Sequence, residues 1–337
     1  MAVKTVSELG EHRVVDSILA VLRKQAKPAI PFGDDVSAVK LDRGKLLILK
    51  TDTMVWDTDV PPGMTARQAG RKALVMNVSD LAAKGVKPLA AVVSLSIPSS
   101  TSIDEVLSII KGLEDGAKEY GLEIIGGDTG EAPTIVLSIS MAGIADKGTI
   151  ILRSGAKVGD IVATTGPFGN TAAALAITLN GLEAPHMLKL KLLRSIYKPK
   201  ARLREGLVLA SLKAATSSID SSDGLAWSLH ELSRMSNVGF KITNVPIAPE
   251  AEAFARIHGL NPLNLALYGG EEYELVLTIK PELFDKAAAS VRSVGGELIK
   301  MGVAISERRV IVDYQGKLHE VEAKGWEHFT SKHLPRN

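Results

Sequence analysis

The sequence predicts an α/β (α+β) protein built in two parts. Three observations carry that expectation. Strand and helix patterns alternate in both halves of the chain. Several strands are near-continuous apolar runs, the pattern of strands buried on both faces. The chain has 337 residues, more than one ordinary core holds, and "RSGAKVGDIVATTGPFGN" reads as a polar, glycine-rich restart. The boundary is expected near Thr149–Ile150, giving parts 1–150 and 151–337.

In order, Ser7 to Leu22 reads as one amphipathic helix with Val14, Val15, Ile18 and Leu22 on one side. A Gly-Asp loop, "PFGDDVSAVKL", feeds a short strand. The apolar strand "KLLILKTDT" then ends in Thr51 and Asp52. Thr65 is placed to cap a long helix that stops near Gly85. "LAAVVSLSIP" is a strand, and Ser102 with Glu105 has capping-box spacing for a helix to about Tyr120. Strand "GLEII" runs into "GGDTG", and "TIVLSISMAG" follows as a strand. After the restart come a strand over Asp160 to Thr165, an alanine-rich helix from Thr171, and the loop "SSIDSSDG". A helix to Ser236, strand "GFKITNV", a helix from Pro249 to His258, "LYGGEEYELVLTI" and "KGWEHF" complete the chain. No sequence repeat links the halves.

Bulk properties exclude several classes. The net charge is +2, too small for the basic field that nucleic acid demands. No run of about 18 apolar residues is present, so no membrane-spanning helix is expected. There is no cysteine, which removes disulfides and thiolate metal sites and fits a reducing cytoplasm. A Gly-x-x-x-x-Gly-Lys-Ser/Thr loop, a strand-borne Gly-x-Gly-x-x-Gly and a Gly-x-Ser-x-Gly elbow are all absent. No histidines pair at i, i+4, so a zinc-hydrolase helix is unsupported.

Aspartates at element ends are what remain: Asp34–Asp35, Asp52, Asp80, Asp128, Asp220 and Asp223. Two carboxylates about 4 Å apart repel by roughly 4 kcal/mol at an effective dielectric near 20, so a cluster of them calls for cations. Magnesium fits, with its preference for oxygen ligands and phosphate bridges. Each residue also has an ordinary reading. Asp34–Asp35 and Asp128 are common turn chemistry. Asp52 can simply end a strand. Asp80 lies on a polar stripe with Asn77 and Lys84, for which a solvated helix face is the usual explanation. Asp223 can cap the helix that buries Leu225, Leu229 and Leu232, whereas Asp220 lies three residues too early.

Together, "SELGEH", "GDDVSAV", "KTDTMV", "GRKALVMNVSDLAAKGVKP", "IIGGDTG", "RSGAKVGD", "IDSSDG", "GGEEYEL" and "KGWEHF" resemble the thiamine-monophosphate kinase family of the aminoimidazole-ribonucleotide-synthetase-like superfamily. The matching runs span Ser7 to Phe329. The resemblance implies ATP-dependent phosphorylation of thiamine monophosphate to the diphosphate. By motif it implies magnesium ligands at Asp35, Thr51, Asp52, Asp80, Asp128 and Asp220, with Asp223 on a further ion. It implies ATP contacts at Gly127, Asp128, Arg153 and Ser222, and thiamine contacts at Glu271 and Trp326. A guanidinium suits phosphate and an indole suits an aminopyrimidine or thiazolium, although Arg153 as a linker charge and Trp326 as a core aromatic are the ordinary readings. A cytoplasmic homodimer, paired through the N-terminal sheets, is also implied.

Two positions depart from the family pattern. Asp59 stands where many members carry a histidine near the substrate, and Lys50 stands where a small hydroxyl residue is common. An anionic acceptor phosphate needs no strong general base, so direct in-line transfer without a phosphoenzyme is the expected route. Alternatives are another ATP-dependent synthetase of the superfamily, a selenophosphate synthetase, or a non-catalytic nucleotide-binding relative. The absence of cysteine argues against thiol-bearing relatives.

Overall fold

The computed structural model describes residues 5–24, 26–327 and 329. Two mixed sheets, each with packed helices, make up the molecule. The first half contains α1 (Val6–Leu9), α2 (Glu11–Leu22), β1 (Ser37–Lys40), β2 (Lys45–Val55), α3 (Trp56–Asp59), α4 (Ala66–Ala83), β3 (Pro88–Ile97), α5 (Ile103–Tyr120), β4 (Glu123–Glu131) and β5 (Val136–Asp146). The second contains β6 (Ile161–Thr164), α6 (Asn170–Asn180), α7 (His186–Tyr197), α8 (Leu203–Leu212), β7 (Ala215–Asp220), α9 (Leu225–Ser236), β8 (Gly239–Ile242), α10 (Pro249–His258) and α11 (Pro262–Tyr268). It closes with β9 (Leu275–Ile279), α12 (Phe284–Ser293), β10 (Ile299–Ile305), β11 (Val310–Tyr314) and β12 (Lys317–Glu320).

The five-stranded sheet has order β1-β2-β5-β3-β4 and the seven-stranded sheet β12-β11-β8-β10-β6-β9-β7. The pairs β3–β4 and β8–β11 are parallel and the other ladders antiparallel. Strand alternation sorts β2 cleanly: Leu46, Ile48 and Met54 are buried on the helix side, while Leu49 reaches the opposite, uncovered face. Val39, Val92 and Ile144 are exposed as well.

Four sequence expectations are corrected. β2 runs on to Val55, so Asp52 lies within the strand and does not end it. The first half of the expected loop "SSIDSSDG" is strand, since β7 extends to Asp220. The first helix breaks at Gly10, whose φ of 74° and ψ of 165° suit glycine and separate α1 from α2. "GGDTG" does not end its strand; β4 carries it through to Glu131, so Asp128 is a mid-strand residue.

α4 sits at the centre. Thr65 caps it, accepting from the Gln68 N–H while the Gln68 side chain accepts from the Thr65 N–H. Glycines let its neighbours come close: a Cβ on Gly112 of α5 would fall 1.9 Å from the Arg67 carbonyl oxygen. One on Gly206 of α8 would fall 1.9 Å from the Ala82 carbonyl oxygen. One apolar core therefore runs from Ile48, Val78 and Ile139 in the first half to Leu209, Leu277 and Val291 in the second. A separate core, including Phe240, Leu229 and Val276, lies on the other side of the second sheet. Among the described residues no helix is long and apolar enough to cross a membrane.

Candidate functional site

The polar stripe of α4 is not solvated. Asn77 and Lys84 are fully buried and Asp80 is buried, because α5, α8, β2, β5 and β7 surround the helix. The Asp80 carboxylate points toward the end of β7, where Asp220 is the last strand residue. Asp35, from the loop before β1, completes the group: Asp35, Asp80 and Asp220 each offer one carboxylate oxygen, all within 4.8 Å of one another. All three are buried, and the two halves of the chain both contribute.

Cations surround them. Lys84 lies 2.8 Å from Asp34 and 2.7 Å from Asp35, and donates to the Ser218 carbonyl at 2.7 Å. Arg153 donates through Nε to Asp35 at 2.8 Å, pairs with it again through its terminal nitrogen, and donates to the Gly33 carbonyl at 3.1 Å. Lys50, on β2, lies 2.8 Å from Asp80 and 3.2 Å from Asp52. Ser79 donates to Asp220 at 2.8 Å. Five carboxylates, those of Asp34, Asp35, Asp52, Asp80 and Asp220, thus face the three cations Lys50, Lys84 and Arg153, a shortfall of two positive charges when every group is ionised.

The charges respond accordingly. Burial pushes Asp35 upward, but Arg153 and Lys84 outweigh it and hold the carboxyl below its usual range. Burial raises Asp80 well above that range, opposed by Lys50 and reinforced by Asp220, Asp52 and Asp35. Burial, then the charge of Asp35, pushes Asp220 up to about 6. Burial and the charge of Glu11 push Asp223 up to about 7. Burial would lower Lys50, but Asp80 and Asp52 outweigh it and hold the side chain as an ammonium.

Other residues singled out in the sequence fall in different places. The Asp52 side chain is tied to the group through Lys50. Thr51, one residue away, faces the opposite side of the sheet, where its hydroxyl accepts from Ser140 at 3.2 Å. Asp128 is exposed on β4 in register with Ser94. With Gly127, Val92, Ser138 and Ser140 it lines a shallow groove of about 320 Å³ on that uncovered face. Arg153 is not a linker charge; it is committed to Asp35. Asp223 does not cap α9, because the capping position is Gly224 and no side chain bonds there.

The "SSDG" and "GGEEYE" segments lie side by side, prolonging the β7–β9 ladder. Ser221 N–H donates to the Glu274 carbonyl, Tyr273 N–H to that of Ser221, and Glu271 N–H to that of Ser222, at 2.8, 3.0 and 2.6 Å. Glu271 and Tyr273 have φ of 65° and 54°, left-handed conformations that cost of order 1–3 kcal/mol each without glycine. The Glu271 carboxylate meets Lys72 at 2.5 Å, and Lys72 also donates to the Asp59 carbonyl at 2.8 Å. The Asp59 carboxylate turns back on its own short helix, accepting from the Val55 N–H at 2.8 Å and from the Thr58 hydroxyl at 3.0 Å. Trp326 N–H donates to the Asp223 carbonyl at 2.9 Å, which brings the C-terminal segment beside the same loop. His328 of "KGWEHF" lies outside the described residues. At the other end of the chain, His12 stacks on Trp227 at 4.0 Å between ring centroids, so α2 also borders the loop.

Lys84, Lys72 and Ser79 were not picked out as site residues from the sequence, and Asp34 was noted only beside Asp35. The available signal was that α4 carries polar residues on more than one face, Arg71, Lys72 and Ser79 as well as Asn77, Asp80 and Lys84, so a single solvated stripe does not account for them all.

Residues 33–145 match the family model described as "AIR synthase related protein, N-terminal domain". A thiamine-monophosphate kinase of Nitrosopumilus maritimus is 36% identical over 88% of this chain and 93% of its own length. The chain belongs to the thiamine-monophosphate kinase family. Another family member, from Pyrococcus horikoshii, is 38% identical over 88% of this chain and 90% of its own length. A solved structure described as "AaThiL complexed with AMPPCP and TMP" superimposes with a TM-score of 0.85 at 28% identity, covering 97% of this chain and all of that one. The expected α/β (α+β) class and superfamily fold are therefore those of the chain.

Proposed function

We propose that this protein transfers the γ-phosphoryl group of ATP to the phosphate of thiamine monophosphate, giving thiamine diphosphate and ADP. The observation that carries the reading is the convergence of Asp35, Asp80 and Asp220 from both halves of a chain belonging to this family. Hard carboxylate oxygens in a cluster short of two positive charges suit magnesium. Asp35, Asp80 and Asp220 would hold it, with Asp52 and Asp223 at the margin. When bound, the ion supplies charge neutralisation between two polyanions.

The chain's own residues do the positioning. Lys84 and Arg153 fix Asp35, Ser79 fixes Asp220, and Lys50 joins Asp52 to Asp80. ATP would lie toward Arg153 and Ser222 beside the carboxylate cluster, and the thiamine end toward Glu271 and Trp326; the other expected ATP contacts, Gly127 and Asp128, line the groove on the opposite face of the sheet. Lys72 holds the Glu271 carboxylate in place for an aminopyrimidine. Asp59 contributes through its carbonyl, which orients Lys72, more than through its engaged carboxylate. The acceptor phosphate is anionic already, so transfer proceeds in line and directly, without a phosphoenzyme.

Two further parts of the reading concern organisation. The chain divides near Thr149–Ile150, and two copies pair through the uncovered faces of their five-stranded sheets. The exposed Val39, Leu49, Val92 and Ile144 support that pairing. A cysteine-free composition supports a cytoplasmic setting. The test is incubation with ATP, magnesium and thiamine monophosphate, with thiamine and hydroxymethylpyrimidine phosphate as rival acceptors. Chromatography is expected to show thiamine diphosphate; its absence under all these conditions overturns the proposal.

A further inference from the structure

Lys50 occupies an unusual position for a lysine. It projects from β2 toward α4, on the side of the sheet that buries Ile48 and Met54, and its side chain is only 16% exposed. Its ammonium lies 3.2 Å from Asp52 and 2.8 Å from Asp80. Asp80 is at the same time one of three aspartates whose oxygens gather within 4.8 Å. Eleven consecutive register pairs between β2 and β5 fix the height of Lys50 on its strand. The ammonium therefore bridges two carboxylates at the edge of a carboxylate cluster, from a rigid element and with little access to water. A divalent ion bridging two aspartates would fill the same electrostatic role, at shorter ligand distances of about 2.0–2.1 Å for magnesium.

We propose that the Lys50 ammonium is a resident cation that takes the place of one divalent ion between Asp52 and Asp80. The chain then builds its site with one metal fewer than its aspartates would otherwise bind. Lys50 is a positioning residue: it acts on the transfer through Asp80 and Asp52, by holding their separation and cancelling one charge before any ion arrives. A lysine tethered to a strand cannot dissociate, so this part of the site stays assembled at low metal concentration. The inference rests on the metal-dependent kinase reading given above.

The test counts metal rather than turnover. Manganese(II) is titrated into the full-length protein, without nucleotide, and bound equivalents are read by electron paramagnetic resonance. Lys50→Ser, which opens the position and adds a small hydroxyl, is expected to bind one more manganese per chain than the unsubstituted protein. Lys50→Arg keeps the charge and is expected to show no gain. Thermal unfolding gives a second readout: Lys50→Ser loses stability without metal and recovers most of it with manganese, so its metal-induced rise exceeds that of the parent. Lys50→Met keeps the apolar stem and serves the same comparison should the serine variant fail to fold.

An unchanged manganese count in the charge-removing variants, with a stability loss that metal does not repair, overturns the proposal and leaves Lys50 an internal ion pair. Thiamine diphosphate formation by the unsubstituted protein separates the two readings. An active parent with an unchanged count in the variants sinks only the role of Lys50. A gained manganese in Lys50→Ser supports that role even if the parent fails to phosphorylate thiamine monophosphate.

Discussion

The helices α4 and α5 have 18 residues each and pack against one another, yet they are opposites. α5 buries one stripe, Ile109, Gly112, Leu113, Gly116 and Ala117, and leaves Ile103, Leu107 and Ile110 at the surface. α4 buries nearly everything from Ala69 to Ala83, polar residues included. The difference is one of surroundings. α5 has a partner on one side. α4 has the sheet, α5, and the α8–β7 face of the second half around it, so its charged side chains must find protein partners or none. They find them: Arg71 pairs with Glu119, Lys72 with Glu271, Ser79 with Asp220 and Asp80 with Lys50. Lys72, Ser79 and Asp80 inside the central helix therefore mark the site, whereas the polar residues of α5 face solvent or, as Asp115 and Glu119 do, pair with the arginines of α4.

Substitutions along the two helices should separate them sharply. Lys84→Met removes the cation shared by Asp34, Asp35 and the Ser218 carbonyl, leaving two buried carboxylates short of a partner. A loss of about 3–5 kcal/mol is expected in denaturant unfolding of the metal-free protein. A loss near that of a surface charge would mean water reaches the site. Asp80→Asn should lower kcat for thiamine diphosphate formation by about 100-fold to 1000-fold while the unfolding temperature barely moves. Collapse of the fold would instead assign Asp80 a structural role.

Gly112→Ala tests the close side of the helix pair. The new Cβ would meet the Arg67 carbonyl oxygen at 1.9 Å, and the helices must separate at a cost of about 1–3 kcal/mol. Calorimetry showing an unchanged unfolding temperature would refute that crowding. The mildest effect is a pH dependence in the second half. The Glu272 carboxylate accepts from the Gly169 and Thr171 N–H groups at the start of α6, yet burial pushes it up to about 7. The folded chain keeps that proton while the unfolded chain releases it near 4.5. Stability from this group accordingly falls as pH rises from about 4.5 toward 7. Glu272→Gln lacks the titration, so it should gain on the parent by a few degrees across that window. Parallel pH curves for the two proteins would refute the assignment.

Much of this was legible beforehand because it is local. Thr65 and Ser102 announced the starts of α4 and α5 through their own side chains, and Gly121 ended α5 in a left-handed turn. Gly10 was less visible: a glycine within an apolar period reads as tolerated until the backbone turns positive there. Asp223 looked like a helix cap, because aspartate before an apolar run usually is; the structure gives that position to Gly224. Asp59 was read by its place in a family pattern, and only the fold shows its carboxylate folded back on Val55 and Thr58.

The sequence by itself determined the alternation of strands and helices, the family, and which aspartates belonged to its motifs. Those are properties of residue order and short-range periodicity. Only the tertiary structure decided which aspartates meet. Asp35, Asp80 and Asp220 converge although 45 and 140 residues separate consecutive members, while Asp128 lines the groove on the uncovered face of the sheet. It also decided that Lys50, Lys72 and Lys84 point inward. A charged side chain goes where its net electrostatic and solvation balance is best, and that balance exists only once both halves have closed around α4.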